Sequence, residues 1–271
     1  MVIAFLDPLA WTCRLLGAWS LVSTLEWLAA ADRWRAGSAL GWDLLSLRRS
    51  RLYRSSLLRW AYAPTPFRLI CLTSLVAGAA LLIVNRPPTL LAAIVALGAA
   101  SGLLALRGAS DGADKMALVA IAGATLMALG LIVGDRLLAM AGALWTGGQL
   151  TIAYATSGMT KALLPGWRDG SIVTKALSGY WFGHPLAHRL LRQAWLAWAL
   201  GWAVITAELT FPLTLLAPTN VLIGALALFG LFHVGTAVVM GLNTYVWAFM
   251  AAYPSVLVIG PALRRALGLA G

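Results

Sequence analysis

Residues 116–133 read MALVAIAGATLMALGLIV, eighteen positions with no charged side chain and no proline. As a helix this run rises about 27 Å, close to the roughly 30 Å of hydrocarbon in a bilayer. Gly134-Asp135-Arg136 closes it with a minimal turn. Upstream, beyond the polar loop Arg107-Gly-Ala-Ser-Asp111-Gly-Ala-Asp114-Lys115, apolar runs at about 90–106 and 69–84 flank Arg86-Pro87-Pro88 and read as a hairpin of spans. Further apolar runs lie at about 9–31, 137–164, 194–216 and from Val221 towards Tyr253. The last can be one long tilted helix or a helix followed by a re-entrant piece. Hydrophobic residues make up 61% of the 271 and charged residues 11%, at a mean hydropathy of +0.85, whereas a soluble domain is nearer half apolar and a quarter charged. The expected fold is therefore all-α, a polytopic integral membrane bundle of about seven transmembrane helices. It forms one domain over residues 1–271 with no room for a soluble one. Asp7 and Pro8 precede the first apolar run, where a secretory signal would be positive, so a cleaved leader is not expected.

The charge balance is 20 Lys+Arg against 9 Asp+Glu, a net +11. Lys115, Lys161 and Lys175 are the lysines and every other cation is arginine, which suits anionic lipid headgroups as partners. Nucleic acid is not expected, because the cations lie between apolar runs rather than on a folded soluble face. Between about 32 and 68, Arg33, Arg35, Arg48, Arg49, Arg51, Arg54, Arg59 and Arg68 are interleaved with Trp34, Trp42, Tyr53, Trp60 and Tyr62. This segment reads as a basic amphipathic stretch on the membrane surface, the alternative being a solvated loop with anchor residues. Cations crowd the loops after the first, third, fifth and seventh spans, while the opposite loops hold Arg86 and Arg136. That bias puts Asp114 and Lys161 on the cytoplasmic side. Cys13 and Cys71 lie in apolar runs and read as packing residues; no disulfide framework and no metal site is expected.

The fifth span is the least apolar, and its polar and small residues are ordered. Gly147, Thr151, Tyr154, Gly158 and Lys161 recur at steps of three and four, so they share one helix face, which should look into protein. Ionisable groups within spans are functional candidates by default. Lys161 can be an amine kept neutral by burial and acting as a base, or a terminal lysine snorkelling to the interface. His233, beside Gly230, Thr236 and Met240, can be catalytic or a hydrogen-bonded core residue. Glu208 needs a proton or a cation, and Arg14 and Lys161 are the intramembrane cations on offer. Arg14 and Glu26, twelve residues apart in the first span, sit about 18 Å apart along a helix and cannot pair with each other. Counted from the 217–220 turn, Glu208 lies roughly 13 Å deep and His233 roughly 20 Å deep. The expected constellation is Lys161 with His233 at one mouth, and Glu208 behind them as a structural or tuning group.

Four places resemble the membrane domain of the vitamin K-dependent gamma-carboxylase family, known in bacteria as the horizontally transferred transmembrane (HTTM) domain. They are Cys13-Arg14-Leu-Leu-Gly17 followed by Glu26, then Asp111-Gly-Ala-Asp114-Lys115, then Tyr154-Ala-Thr-Ser-Gly158-Met-Thr-Lys161 through Trp167-Arg-Asp-Gly170. The fourth runs from Glu208-Leu-Thr-Phe-Pro212 through Phe232-His233 and Met240-Gly241-Leu242 to Tyr253-Pro254. The resemblance implies that Lys161 matches the lysine taken as the base for vitamin K hydroquinone, and that His233 belongs to the same active region. It further implies substrate-binding roles for Tyr154, Thr151, Asp114 and Lys115, structural or tuning roles for Arg14, Glu26 and Glu208, and a bacterial inner-membrane setting.

The apolar 116–121 (MALVAI) replaces the polar stretch that follows Asp-Lys in the family. The function expected is accordingly carboxylase-like in fold without being a true gamma-carboxylase: an HTTM-type protein acting on or binding a lipidic quinone-like molecule or a membrane-delivered peptide. A quinone or other lipid would be its cofactor. The rival is a non-catalytic accessory or structural membrane subunit that docks a partner protein or peptide, in toxin-peptide maturation or in a respiratory or photosynthetic assembly. The residues leave catalytic and non-catalytic roles both open.

Overall fold

A computed structural model describes residues 2–34, 42–47, 55–106, 110–178, 189–190 and 193–269. Among them all regular structure is helical. Six segments are long and apolar enough to cross a membrane: Pro64–Ile83, Pro87–Ala105, Gly112–Val133, Ala194–Thr214, Thr219–Met240 and Asn243–Ala266. The protein is an all-α integral membrane bundle. Much of the basic 32–68 segment, with Arg35, Arg48, Arg49, Arg51 and Arg54, lies outside the described residues, as do Trp181, His184 and His188.

The chain groups into two compact units, Met1–Gly142 and Ala143–Gly271. In the first, α1 (Leu6–Ala29) is followed by the short α2 (Trp42–Leu45) and α3 (Ser56–Tyr62), then α4 (Pro64–Ile83), α5 (Pro87–Ala105) and α6 (Gly112–Val133). Sequence chemistry sets these ends. Proline stands in the first turn of α4 and α5, where its missing N–H costs nothing. Asp111 caps α6: its Oδ1 accepts the N–H groups of Ala113 (2.8 Å) and Asp114 (3.1 Å), while Asp114 Oδ2 accepts the N–H of Asp111. Gly134, at φ 74°, ends α6 in a conformation that glycine adopts without strain.

Helix α1 crosses α4 at a point where both are glycine. A Cβ on Gly17 would lie 2.6 Å from the Gly78 carbonyl oxygen, so only a missing side chain permits the approach. One turn on, Ser20 Oγ donates to the Ser74 carbonyl (2.8 Å) and Thr24 Oγ1 donates to Ser74 Oγ (2.9 Å), which satisfies these buried hydroxyls among themselves. Helices α4, α5 and α6 follow as successive neighbours, and α6 returns to α1. Their outer faces, including Leu72, Val76 and Ile83, are apolar and exposed, as lipid contact requires.

Helix α7 (Arg136–Leu163) starts in the first unit and runs into the second. There follow α8 (Pro165–Arg168), α9 (Ser171–Ser178), α10 (Ala194–Thr214), α11 (Thr219–Met240), α12 (Asn243–Met250) and α13 (Tyr253–Ala266). The long run after Val221 is neither a single tilted helix nor uniform. Gly241, at φ 71°, ends α11 and the chain restarts as α12 and α13. Between α8 and α9 the Asp169 carboxylate accepts the Ser171 N–H at 2.8 Å, and that bond holds its carboxyl below the ordinary range. Helices α8 and α9 lie on α10, where a Cβ on Gly201 would meet the Trp167 carbonyl oxygen at 2.5 Å.

The chain should stay with the membrane through carbonate or urea washing, since its spans have no soluble way to satisfy their apolar surface; recovery in the supernatant would overturn the integral bundle. Gly17→Ala should lower the detergent melting point by overpacking worth about 1–3 kcal/mol. Gly102→Ala, whose Cβ meets nothing within 4 Å, should leave it unchanged or raise it through better helix propensity. Equal effects at the two glycines would disprove the tight crossing.

Candidate functional site

The polar face of α7 does turn inward. Gly147 lies against α13, where an added Cβ would be 2.7 Å from Ile259 Cδ1, and Gly158 lies against α10, where one would be 2.8 Å from the Leu209 nitrogen and 2.9 Å from Glu208 Cβ. The second contact is decisive for the chemistry. With no side chain at position 158, the backbone around Glu208 sits directly on α7, one helical turn before Lys161.

Helical side chains lean towards the N-terminus of their own helix, so Lys161 reaches back to its i−4 neighbour. Its Nζ donates to Ser157 Oγ and to both Glu208 carboxylate oxygens, at 2.8 Å to Oε1 and 2.6 Å to Oε2. The two side chains are 16% and 6% exposed, so water offers little competition. Lys161 Nζ also lies 5.2 Å from the centre of the Trp167 ring. Of the two cations weighed as partners for Glu208, the structure bonds Lys161 to it.

Lys161 and His233 do line one cavity, but Glu208, expected behind them, is the residue bonded to Lys161. His233 Nε2 is bonded instead to the Tyr154 hydroxyl at 2.8 Å, and the Tyr253 hydroxyl stands 3.5 Å from the same oxygen. Depth counting treated each residue as a point at its Cα; the backward lean of Lys161 and the glycine contact at 158 bring Glu208 within reach. Aromatic rings surround the second pair. Tyr154 meets Phe211 edge-on at 4.7 Å between centroids and Phe229 at 4.4 Å, and Phe249 lies 4.5 Å from the His233 ring.

Both pairs face one cavity of about 210 Å³, lined by Tyr154, Ser157, Lys161, Glu208, His233 and Phe249 among others. It lies between α7, α10, α11 and α12. A second hollow of about 170 Å³ opens between α10 and α11 and is almost wholly apolar, with Leu200, Val204, Ala207, Leu228 and Phe229 on its walls. The two share Glu208 and Phe232. A polar recess thus adjoins an apolar groove, the layout that suits an amphiphile.

The other expected site residues lie elsewhere. Thr151 turns its hydroxyl to the Gly147 carbonyl of its own helix (2.8 Å) and does not line the cavity. Asp114 and Lys115 belong to the first unit, where Asp114 serves the cap of α6 and Lys115 is exposed. Arg14 bonds Asn85 Oδ1 at 3.2 Å and sits over the Trp11 ring; Glu26 is an exposed residue near the end of α1. Ser157, Tyr245, Phe249 and Tyr253 were not foreseen as site residues. Ser157 was the readable one, four residues before Lys161 on the same face.

Compared with protein-family models, with curated proteins and with solved structures, the chain shows no match. Among the described residues no three His, Cys, Asp or Glu side chains gather as a metal ion would require.

Removing one member of the Lys161–Glu208 pair strands the other in an apolar setting, at a cost of about 3–5 kcal/mol. Lys161→Met and Glu208→Met should each lower stability strongly, while the double variant recovers most of the loss. A double-mutant cycle in chemical unfolding measures the coupling, and additive losses would show that the pair is energetically idle.

Proposed function

We propose that this chain is an HTTM-type membrane protein of a bacterial inner membrane that binds and acts on a quinone-like lipid in the recess between α7, α10, α11 and α12. It is carboxylase-like in fold without being a true gamma-carboxylase. The observation that carries the reading is the recess itself. Two hydrogen-bonded polar pairs, Lys161–Glu208 and Tyr154–His233, face an aromatic-walled space of about 210 Å³ beside an apolar groove. Aromatic walls suit a planar headgroup, the polar pairs suit its oxygens, and the groove suits a hydrocarbon tail lying in the plane of the bilayer. The resemblance of the motifs around Tyr154, Lys161 and His233 to those of the carboxylase family supports the same class of ligand.

The chemistry open to such a site is proton transfer. When the Lys161 ammonium passes a proton to Glu208, an N–H bond breaks, an O–H bond forms, and a neutral amine and acid remain. The amine can then take the proton of a headgroup hydroxyl. His233, held by Tyr154, is placed to hydrogen-bond a second oxygen of the same headgroup. Arginines outside the spans, exposed Arg33 and Arg59 among them, contact anionic lipids in this reading, and Lys161 lies on the cytoplasmic side.

The test is to purify the chain with its native lipid in polymer discs and quantify the quinones that extract with it. Wild type should carry a quinone above the level of empty membrane, Lys161→Ala should carry none, and Lys161→Arg should retain binding but lose turnover, because a guanidinium cannot supply a neutral amine. Full function in the Arg variant would mean a charge role and not a base. A wild-type protein free of quinone, with another chain co-purifying, would favour the accessory-subunit role.

A further inference from the structure

An ammonium group has three protons to donate. On Lys161 one points to Ser157 Oγ and one is shared by the two oxygens of the Glu208 carboxylate, which stand too close together to take a proton each, so the protein engages most of the hydrogen-bonding capacity of Nζ. The charge is engaged too. Glu208 is 6% exposed on its side chain and is bound through both oxygens, and the pair is neutral as a unit whichever partner holds the shared proton. Around the recess, the other titratable groups that line it are Tyr154, His233 and Tyr245, the first two bonded to each other. A lysine at the mouth of a membrane cavity would ordinarily draw in carboxylates and phosphates, which are the commonest anions on lipids. Here Glu208 already supplies the counter-charge.

We infer that Glu208 is a charge filter: by occupying Lys161 through both carboxylate oxygens, it makes the recess reject anionic headgroups and admit uncharged ones that bear a hydroxyl or carbonyl. The inference rests on the proposed reading of the recess as a headgroup site, and it names the residue that sets which headgroups enter. An entering anion would meet a carboxylate at the same point as the ammonium and would have to displace it. A neutral hydroxyl can donate to a Glu208 oxygen without disturbing the pair, because a carboxylate oxygen accepts more than one hydrogen bond. Gly158 makes the filter possible, since a side chain there would push the Glu208 backbone off α7.

Two probes of one shape separate the cases: naphthol, an uncharged aromatic hydroxyl, and naphthoate, the same ring system with a carboxylate. Binding to the full chain in lipid nanodiscs is measured by equilibrium dialysis at neutral pH, with empty nanodiscs subtracted. Wild type should prefer naphthol. Glu208→Gln keeps a hydrogen-bonding side chain but frees the Lys161 charge, so naphthoate should bind it about tenfold or more tighter than it binds wild type, the gain of one charge-assisted hydrogen bond. Should that variant not fold, Lys161→Gln is the mirror case: it uncovers the Glu208 carboxylate, and naphthylmethylammonium should gain affinity by a similar factor. Naphthoate binding wild type as well as naphthol does, or no gain of the charged probe in the folded variant, overturns the filter. Absence of naphthol binding to wild type, together with capture of naphthoate by Glu208→Gln, would leave the rejection of anions standing and overturn both the admission of uncharged headgroups and the quinone-like reading.

Discussion

An ammonium group in a helix bundle surrounded by hydrocarbon must find a counter-charge or give up its proton, and the second unit of this protein is arranged around that requirement. Lys161 meets it with Glu208, and the pairing depends on a missing side chain. Any residue other than glycine at 158 would place a Cβ less than 3 Å from the Leu209 nitrogen and from Glu208 Cβ. The helix contact and the ion pair are therefore one feature with two ends. Close backbones fix where the carboxylate stands, and the lysine, leaning back along α7, reaches it without leaving its own helix face. Once α7 and α10 are registered in this way, the opposite side of Tyr154 turns towards Phe229 and Phe249, and the polar recess is enclosed by rings.

The two units use polar residues differently. In the first, Ser20, Thr24 and Ser74 are bonded to one another at a tight helix crossing, and the cavity beside them is only about 10 Å³, near the space of a single water. Those hydroxyls are helix glue of the kind membrane bundles use in place of a hydrophobic driving force. In the second unit the polar pairs border a space some twenty times larger. In the function proposed above, those pairs are where a headgroup enters. This contrast is the reason the site is placed at Lys161 and Tyr154 and not along the serine and threonine track of α1 and α4.

The all-helical membrane fold was legible from composition and run length, because a spanning helix has to be apolar over some 20 residues and few other structures do. Helix ends were also legible where proline or glycine set them, as at Pro87 and Gly134, whereas α6 begins at Gly112, inside the stretch that reads as a polar loop. The break after Val221 was less so. Gly241 lies in an apolar run that periodicity reads straight through, and only the backbone conformation distinguishes a packing glycine from a terminating one. The inward face of α7 was readable from its 3–4 spacing, yet the partners of its residues were not. Spacing within one helix says which side chains share a face; it says nothing of which face of α10 or α11 comes opposite. Asp114 shows how local spacing can be read further: three residues after Asp111, it completes a capping box.

Separating the two pairs gives each a distinct character. In a neutral imidazole one ring nitrogen donates and the other accepts. If the Tyr154 hydroxyl donates to Nε2, the proton of His233 resides on Nδ1, and Tyr253 stands behind Tyr154 as a second hydroxyl that can donate in the same direction. In the proposed reading this side of the recess orients a headgroup through hydrogen bonds. The Lys161–Glu208 side can exchange a proton internally while staying neutral as a whole. A headgroup lying between them would meet a fixed hydrogen-bonding wall on one side and a proton-exchanging wall on the other, so its orientation would decide which of its oxygens can lose a proton.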